Sequence, residues 1–141
     1  MSNIGSRDER IKNFDWTLSE NELGWKKGEP LNIGWYCSDR ICQQGTADKL
    51  SLIWENSSAT VTKKYTYDDL RKSSNTIAAF LTGKLGLQPG ERVCLFLDKV
   101  PELYIGLIGI LKAGLIAQPL FSAFGDESLL TRLSNAETSA I

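Results

Sequence analysis

The chain has 141 residues, 42% hydrophobic and 23% charged, enough for one globular domain that buries its own core without a disulfide or metal staple. Sixteen basic against seventeen acidic residues leave a net charge of -1, which gives no pull towards nucleic acid or an anionic membrane surface. The polar start, MSNIGSRDERIKNFDW, lacks the apolar run of a signal peptide, so no export is expected and a cytoplasmic location is.

Residues 1–30 mix charges, Trp16, Trp25 and the turn-like Gly28-Glu29-Pro30 without sustained periodicity. An irregular lead-in, partly packed by its tryptophans, is expected there, followed by an α/β domain over 31–141. Within LNIGWYCSDRICQ (31–43), Ile33, Tyr36, Cys37 and Ile41 recur at helical spacing with Asn32 as N-cap, which predicts a short helix. LSLIWEN (50–56) and ATVTKKYTY (59–67) are rich in β-branched and aromatic residues and flank a polar Ser57-Ser58, which predicts an antiparallel hairpin.

After Thr66, the stretch to Gly86 places Leu70, Ile77, Phe80, Leu81 and Leu85 on one helical face, with Asp68 and Asp69 suited to the first turn. Gly86 and the turn at 88–90 end it. ERVCLFL (91–97) is a continuous apolar run of strand length, the pattern of a parallel strand covered on both faces. The most apolar segment, YIGLIGILKAGLIAQPLF (104–121), then reads as a helix followed by a strand. Asp98 is the expected cap, Pro101 sits in the first turn, and Lys112 and Gly114 mark the end. That leaves about 13 helical residues, or ~20 Å, against a hydrocarbon core of ~30 Å, so no membrane span is expected. Gly106, Gly109 and Ala113 read as packing positions on this helix.

Leu115–Leu120 supplies the following strand, 126–136 a further helix, and ETSAI (137–141) a third parallel strand. The expected fold class is therefore α/β, a β-hairpin plus a β-α-β-α-β parallel layer. A domain ending on a just-started strand is expected to be a fragment, its unfinished sheet prone to self-association.

Chemistry is sparse. Cys37, Cys42 and Cys94 lack metal-type spacing and there is no histidine, so reduced, mostly buried thiols are expected and no metal site. The same absence removes Ser-His and Cys-His nucleophiles. No phosphate-binding glycine loop is present. Asp68 and Asp69 fit a solvated helix start better than a metal or acid/base site, and Lys63 and Lys64 a solvated strand end without aromatic stacking. One loop stands out: LFSAFGDE (120–127) lies at the carboxyl end of an expected parallel strand, where α/β sheets hold ligands. Phe121 and Phe124 either wall a ligand around Ser122, Ala123 and Gly125, or are two core phenylalanines at an ordinary turn. Asp126 and Glu127 at the next helix start disfavour phosphate capture there.

The order of WKKGEPLNIGWYCSDR (25–40), SLIWE (51–55), YTYDDL (65–70), the 85–121 segment and TRLSNAETSAI (131–141) resembles the N-terminal part of the AMP-forming acyl-CoA synthetases, most closely their acetate-activating branch. That resemblance implies an adenylate-forming ligase fold. It also implies a parent enzyme that joins an acetate-like carboxylate to CoA with ATP and magnesium, releasing AMP and pyrophosphate. The family's phosphate loop, its nucleotide-binding acids and its catalytic lysine have no counterpart here, so the isolated chain is expected to be inactive and to bind none of these groups tightly. The resemblance carries one site onto this chain: Phe121, Ser122 and Ala123 match residues that contact the CoA nucleotide, with serine and alanine where the family has glycine. The competing expectations are an autonomous, non-catalytic α/β interaction module, or part of a related adenylating enzyme for a different carboxylate.

Overall fold

A computed structural model describes residues 6–141; the part of the expected lead-in at 1–5 lies outside the described residues. The chain divides into two compact units, one ending at Leu31 and one running Asn32–Ile141.

The first unit is more ordered than its sequence suggests. It carries helices α1 (Arg7–Lys12) and α2 (Trp16–Leu23). The start and stop of α2 are chemical: the Asp15 carboxylate accepts the Thr17 N–H at 3.0 Å, and Gly24 takes the left-handed conformation at φ 66°. Trp16 is 71% exposed and meets Phe14 edge-on, so it packs little, whereas the Trp25 indole donates to the Glu29 carbonyl at 2.9 Å.

The second unit opens with two short helices, α3 (Ile33–Tyr36) and α4 (Asp39–Ile41), where one was expected. Asn32 does cap α3, accepting the Trp35 N–H at 3.0 Å. The helix breaks at Ser38, which is fully buried and donates its hydroxyl to the Gly34 carbonyl at 2.7 Å, a local bond that competes with helix continuation. A wide turn at Cys42–Thr46 leads to β1 (Leu50–Glu55) and β2 (Thr62–Thr66), the expected antiparallel pair. Its register shifts between Leu50 and Leu52, where the Ser51 hydroxyl donates to the Thr66 carbonyl at 2.8 Å.

Thr66 then caps α5 (Tyr67–Ala79) in a reciprocal box: its hydroxyl accepts the Asp69 N–H at 3.1 Å while the Asp69 carboxylate accepts the Thr66 N–H at 2.8 Å. From Phe80 to Lys84 the helix widens, with the Leu85 N–H reaching back to the Phe80 carbonyl. This widening corrects the expected apolar face. Leu70 and Leu81 are buried, but Phe80 and Leu85 are 44% and 47% exposed: Leu85 follows the widened turn, which breaks the 3.6-residue stripe, whereas Phe80 stands about 80° from Leu70 round a regular helix.

Strand β3 (Arg92–Phe96) pairs in parallel with β4 (Ile116–Leu120) across helix α6 (Pro101–Lys112), the expected β-α-β unit. Val93, Cys94 and Leu95 are buried whichever face they point to, as the unbroken apolar run required. Helix α7 (Asp126–Asn135) follows. The expected third strand is reduced to a single parallel bridge, Val93 to Ala140, with the Cys94 N–H on the Ala140 carbonyl and the Ser139 N–H on the Arg92 carbonyl, both at 2.8 Å. Arg92 fastens the same segment by donating to the Ala136 and Glu137 carbonyls at 2.6 and 2.9 Å, at the end of α7.

The core gathers Leu81, Val93, Leu95, Ile110 and Leu115 around α6. Small residues let its neighbours close in. A Cβ at Gly109 would stand 2.7 Å from Ile77 of α5, and one at Gly34 of α3 would stand 2.7 Å from the Lys112 N and the Ile108 carbonyl. The Gly34 approach is sealed by polar contacts: Asn32 donates to the Lys112 carbonyl at 3.0 Å, and the Lys112 ammonium pairs with Asp39 at 2.5 Å and bonds Asn75 at 2.8 Å. Among the described residues no helix is long and apolar enough to cross a membrane. Of the three free cysteines only Cys94 is buried; Cys42 is half-buried and Cys37 exposed, against the expectation of mostly buried thiols.

Candidate functional site

Because β3 and β4 run parallel, their carboxyl ends open on one edge, and the loops that leave them face each other there. The first loop contributes Asp98 and Lys99, the second Phe121 and Ser122, and together they rim an open cleft of about 520 Å³. Leu103 of α6 and Pro119 and Leu120 of β4 give it an apolar lining.

Two long-range bonds shape the rim. The Ser122 hydroxyl donates to the Asp98 carboxylate, tying one strand-end loop to the other. The Trp54 indole N–H, from β1, donates to the Lys99 carbonyl at 2.7 Å, so the hairpin holds the backbone of the first loop. Asp98 is thus not the cap of α6 that the sequence suggested. Pro101 occupies the first helical position, and the residue before a proline is pushed to extended geometry, so Val100, at φ -109° and ψ 159°, holds the N-cap place without a side-chain bond.

Phe121 is 66% exposed and therefore not a core phenylalanine. Its ring meets half-buried Phe124 edge-on, with centroids 5.8 Å apart. The Arg132 guanidinium of α7 lies over the Phe124 ring, 4.2 Å from its centroid, and donates to the Ser128 hydroxyl at 2.6 Å. A bond from the Phe124 N–H to the Phe121 carbonyl at 3.0 Å closes the turn, leaving Ser122 half-buried and Ala123 exposed. Of the three residues singled out in the sequence, Phe121 and Ser122 line the cleft, with the Phe121 ring turned to solvent, while exposed Ala123 follows them in the turn and is not part of the lining.

Other candidates are absorbed by structure. Asp68 pairs with Lys72 at 2.7 Å and Arg71 at 2.6 Å, and these bonds, that of Lys72 first, hold its carboxyl below the usual range. Asp69 is lowered in turn by the backbone and side-chain bonds of Thr66. Lys63 lies over the Trp54 ring at 5.5 Å, which corrects the reading of a strand end without aromatic contact. No group of three or more His, Cys, Asp or Glu side chains comes together among the described residues. A smaller cleft of about 230 Å³, lined by Cys37, Leu52, Tyr67 and Tyr104 among others, holds no acid/base pair.

Sequence alone points neither to the Trp54–Lys99 contact nor to the Asp98–Ser122 bond. Lys99 left one usable signal, its place in the loop after the first parallel strand. Trp54 left none, because its partner lies 45 residues away.

Residues 39–141 match the family model for AMP-binding enzymes. An acetyl-coenzyme A synthetase of Bacillus subtilis is 30% identical over 139 residues, 99% of this chain and 24% of that protein. One from Leptospira biflexa is 32% identical over 124 residues, 88% of this chain and 19% of that protein. Among solved structures, a Brucella canis acyl-CoA synthetase superposes with a TM-score of 0.83 at 25% identity, covering 94% of this chain and 23% of its own. The N-terminal subdomain of Klebsiella oxytoca NpsA, in complex with 3-hydroxyanthranilyl-AMSN, gives a TM-score of 0.65 at 26% identity, covering 76% of this chain and 25% of its own. The chain spans about a quarter or less of the length of these relatives.

Proposed function

Since the chain belongs to the AMP-binding enzyme family and corresponds to an N-terminal segment of an AMP-forming ligase, we propose that its strand-end cleft is where an acyl-CoA synthetase of the acetyl-CoA synthetase type meets the nucleotide end of CoA. The observation that carries this reading is Phe121, a large ring left 66% exposed at the carboxyl edge of a parallel sheet beside a cleft with an apolar lining. An exposed aromatic face there offers a stacking platform for a purine, and stacking on an aromatic side chain is worth ~1–3 kcal/mol per base.

In the whole enzyme an acetate-like carboxylate attacks the α-phosphorus of ATP, pyrophosphate leaves, and the CoA thiol then displaces AMP from the acyl carbon. No group of three or more Cys, Asp or Glu side chains gathers among the described residues, and no step of the reaction is assigned to this chain. Its part is to orient. The Asp98–Ser122 bond fixes the loop that carries Phe121, and with serine and alanine at 122 and 123 the contact to the ligand falls mainly on the ring.

The test has two arms. The 141-residue chain, given acetate, ATP, magnesium and CoA, should release no acetate-dependent pyrophosphate; turnover would overthrow the division of labour. In an enzyme that contains this segment, Phe121→Ala should raise the KM for CoA while leaving that for ATP unchanged. An equal rise for both would make Phe121 a folding residue instead.

A further inference from the structure

We propose that Lys99 is the phosphate-binding residue of this cleft, supplying the positive charge that goes with the aromatic surface of Phe121. The proposal rests on the reading of the cleft as a nucleotide site and adds the residue that would select a phosphorylated nucleotide over a bare nucleoside.

Three observations carry it. Lys99 and Phe121 line the same cleft from the carboxyl ends of the two neighbouring strands, so one ligand can touch both. The Lys99 ammonium has no ion-pair or hydrogen-bond partner among the described residues, although its backbone is held by the Trp54 indole at 2.7 Å. The nearest acid in sequence, Asp98, is engaged by the Ser122 hydroxyl. A fixed backbone with a free, exposed ammonium is a charge held at a defined place on a flexible stem, the usual manner in which lysine meets phosphate as a point charge.

The other cation near the rings is less available. Arg132 stacks on Phe124 at 4.2 Å and donates to both the Ser128 hydroxyl and carbonyl, at 2.6 and 3.1 Å. The start of α7 is not an alternative phosphate site either, because Asp126 and Glu127 occupy its first turn.

Ring and ammonium together define the ligand class. A purine on Phe121 with a phosphate on Lys99 is a nucleotide, and the apolar lining from Leu103, Pro119 and Leu120 leaves room for an uncharged arm. The nucleotide end of CoA has this make-up.

The test is a titration of the isotope-labelled 141-residue chain with CoA and, separately, with adenosine, followed by amide shifts at 97–99 and 121–123. Wild type should bind CoA more tightly than adenosine. Lys99→Gln should weaken CoA about two- to five-fold, the scale of one exposed charge pair, and leave adenosine unchanged. Lys99→Arg should retain CoA binding. Raising salt from about 50 to about 300 mM should weaken CoA for wild type and much less for Lys99→Gln, which a packing role would not produce. If Lys99→Gln binds CoA as wild type does while Phe121→Ala weakens both probes, Lys99 is overturned and the nucleotide reading stands. If wild type shows no shift with either probe at millimolar concentration, the nucleotide reading fails and the role of Lys99 with it.

Discussion

Gly109 of α6 lies so close to Ile77 of α5 that a Cβ on the glycine would stand 2.7 Å from the Ile77 Cβ and 2.9 Å from the Ser74 carbonyl oxygen. Backbone is among the atoms in the way, so a side chain here cannot be accommodated by a rotamer change alone. The two longest helices of the unit are held at a distance that only hydrogen at position 109 permits, and α6 in turn carries Leu103 into the cleft lining.

Gly109→Ala should therefore destabilise the chain despite its gain in helix propensity, by about 1–3 kcal/mol, and Gly109→Leu by more. Urea unfolding followed by tryptophan fluorescence would measure it. An alanine variant as stable as wild type would show that α5 can move away without loss.

Lys112 and Asp39 form an ion pair with side chains only 7% and 17% exposed. Burial opposes the charge on Asp39, but the hydrogen bond and charge of Lys112, with the bonds to Ser38 and Asn75, outweigh it and hold the carboxyl below its ordinary value of 3.8. A carboxyl lowered by folding contributes stability that is complete above its unfolded-state value and is lost as pH falls towards the folded-state one. Asp39→Asn should cost stability at pH 7, towards the lower end of the ~3–5 kcal/mol for breaking a buried pair because the site is not fully closed. It should also flatten the loss of stability below about pH 4. Denaturation across pH 2–7 (roughly the carboxylate range) would check both, and an unchanged acid limb would mean that other carboxylates dominate it.

Thr66→Ala removes the hydroxyl that accepts the Asp69 N–H and leaves half of the reciprocal box. The expected cost is about 1 kcal/mol. Thr66→Ser should restore most of it. A null effect of alanine in thermal unfolding would place the start of α5 under control of β2 pairing instead.

The thiols should react in order of exposure. Cys37 is exposed, Cys42 half-buried, and Cys94 buried with its thiol pushed up by that burial. A maleimide or disulfide reagent at neutral pH should modify Cys37 first and Cys94 only after denaturant is added. Mass spectrometry of timed samples would read the order directly, and early labelling of Cys94 would show that β3 opens locally.

What the sequence disclosed follows from range. The hairpin, the β-α-β unit and the cap at Asn32 are written in patterns a few residues long, and the structure has them. Leu85 falls off the expected apolar face because the helix widens before it. Pro101 at the first helical position confines Val100, not Asp98, to the cap, a constraint already written in the sequence. Gly34 gave no hint of its contact with α6, since nothing in LNIGWY names a partner some 75 residues on (roughly the α3–α6 separation, a tertiary relation that local pattern cannot carry). At the cleft, position on a strand end picks out the 120–127 loop, and only the family resemblance picks out Phe121, Ser122 and Ala123 within it, whereas Asp98 and Lys99 come to the same rim as Phe121 and Ser122 only when β3 and β4 lie side by side.

The single bridge from Val93 to Ala140 has a consequence in time as well as in space. β3 meets β4 after closing one helical crossover, whereas its contact with residue 140 closes a longer loop that also contains β4 and α7, and longer loops cost more entropy to close before their contacts reward it. The last segment is thus expected to dock late in folding, and the Arg92 bonds to Ala136 and Glu137 act as a latch thrown at the end. Early in folding the amide of Cys94, buried in the finished core, should exchange with solvent long after the apolar side chains around it have collapsed. Pulse-labelled hydrogen exchange would show its protection arriving last within β3.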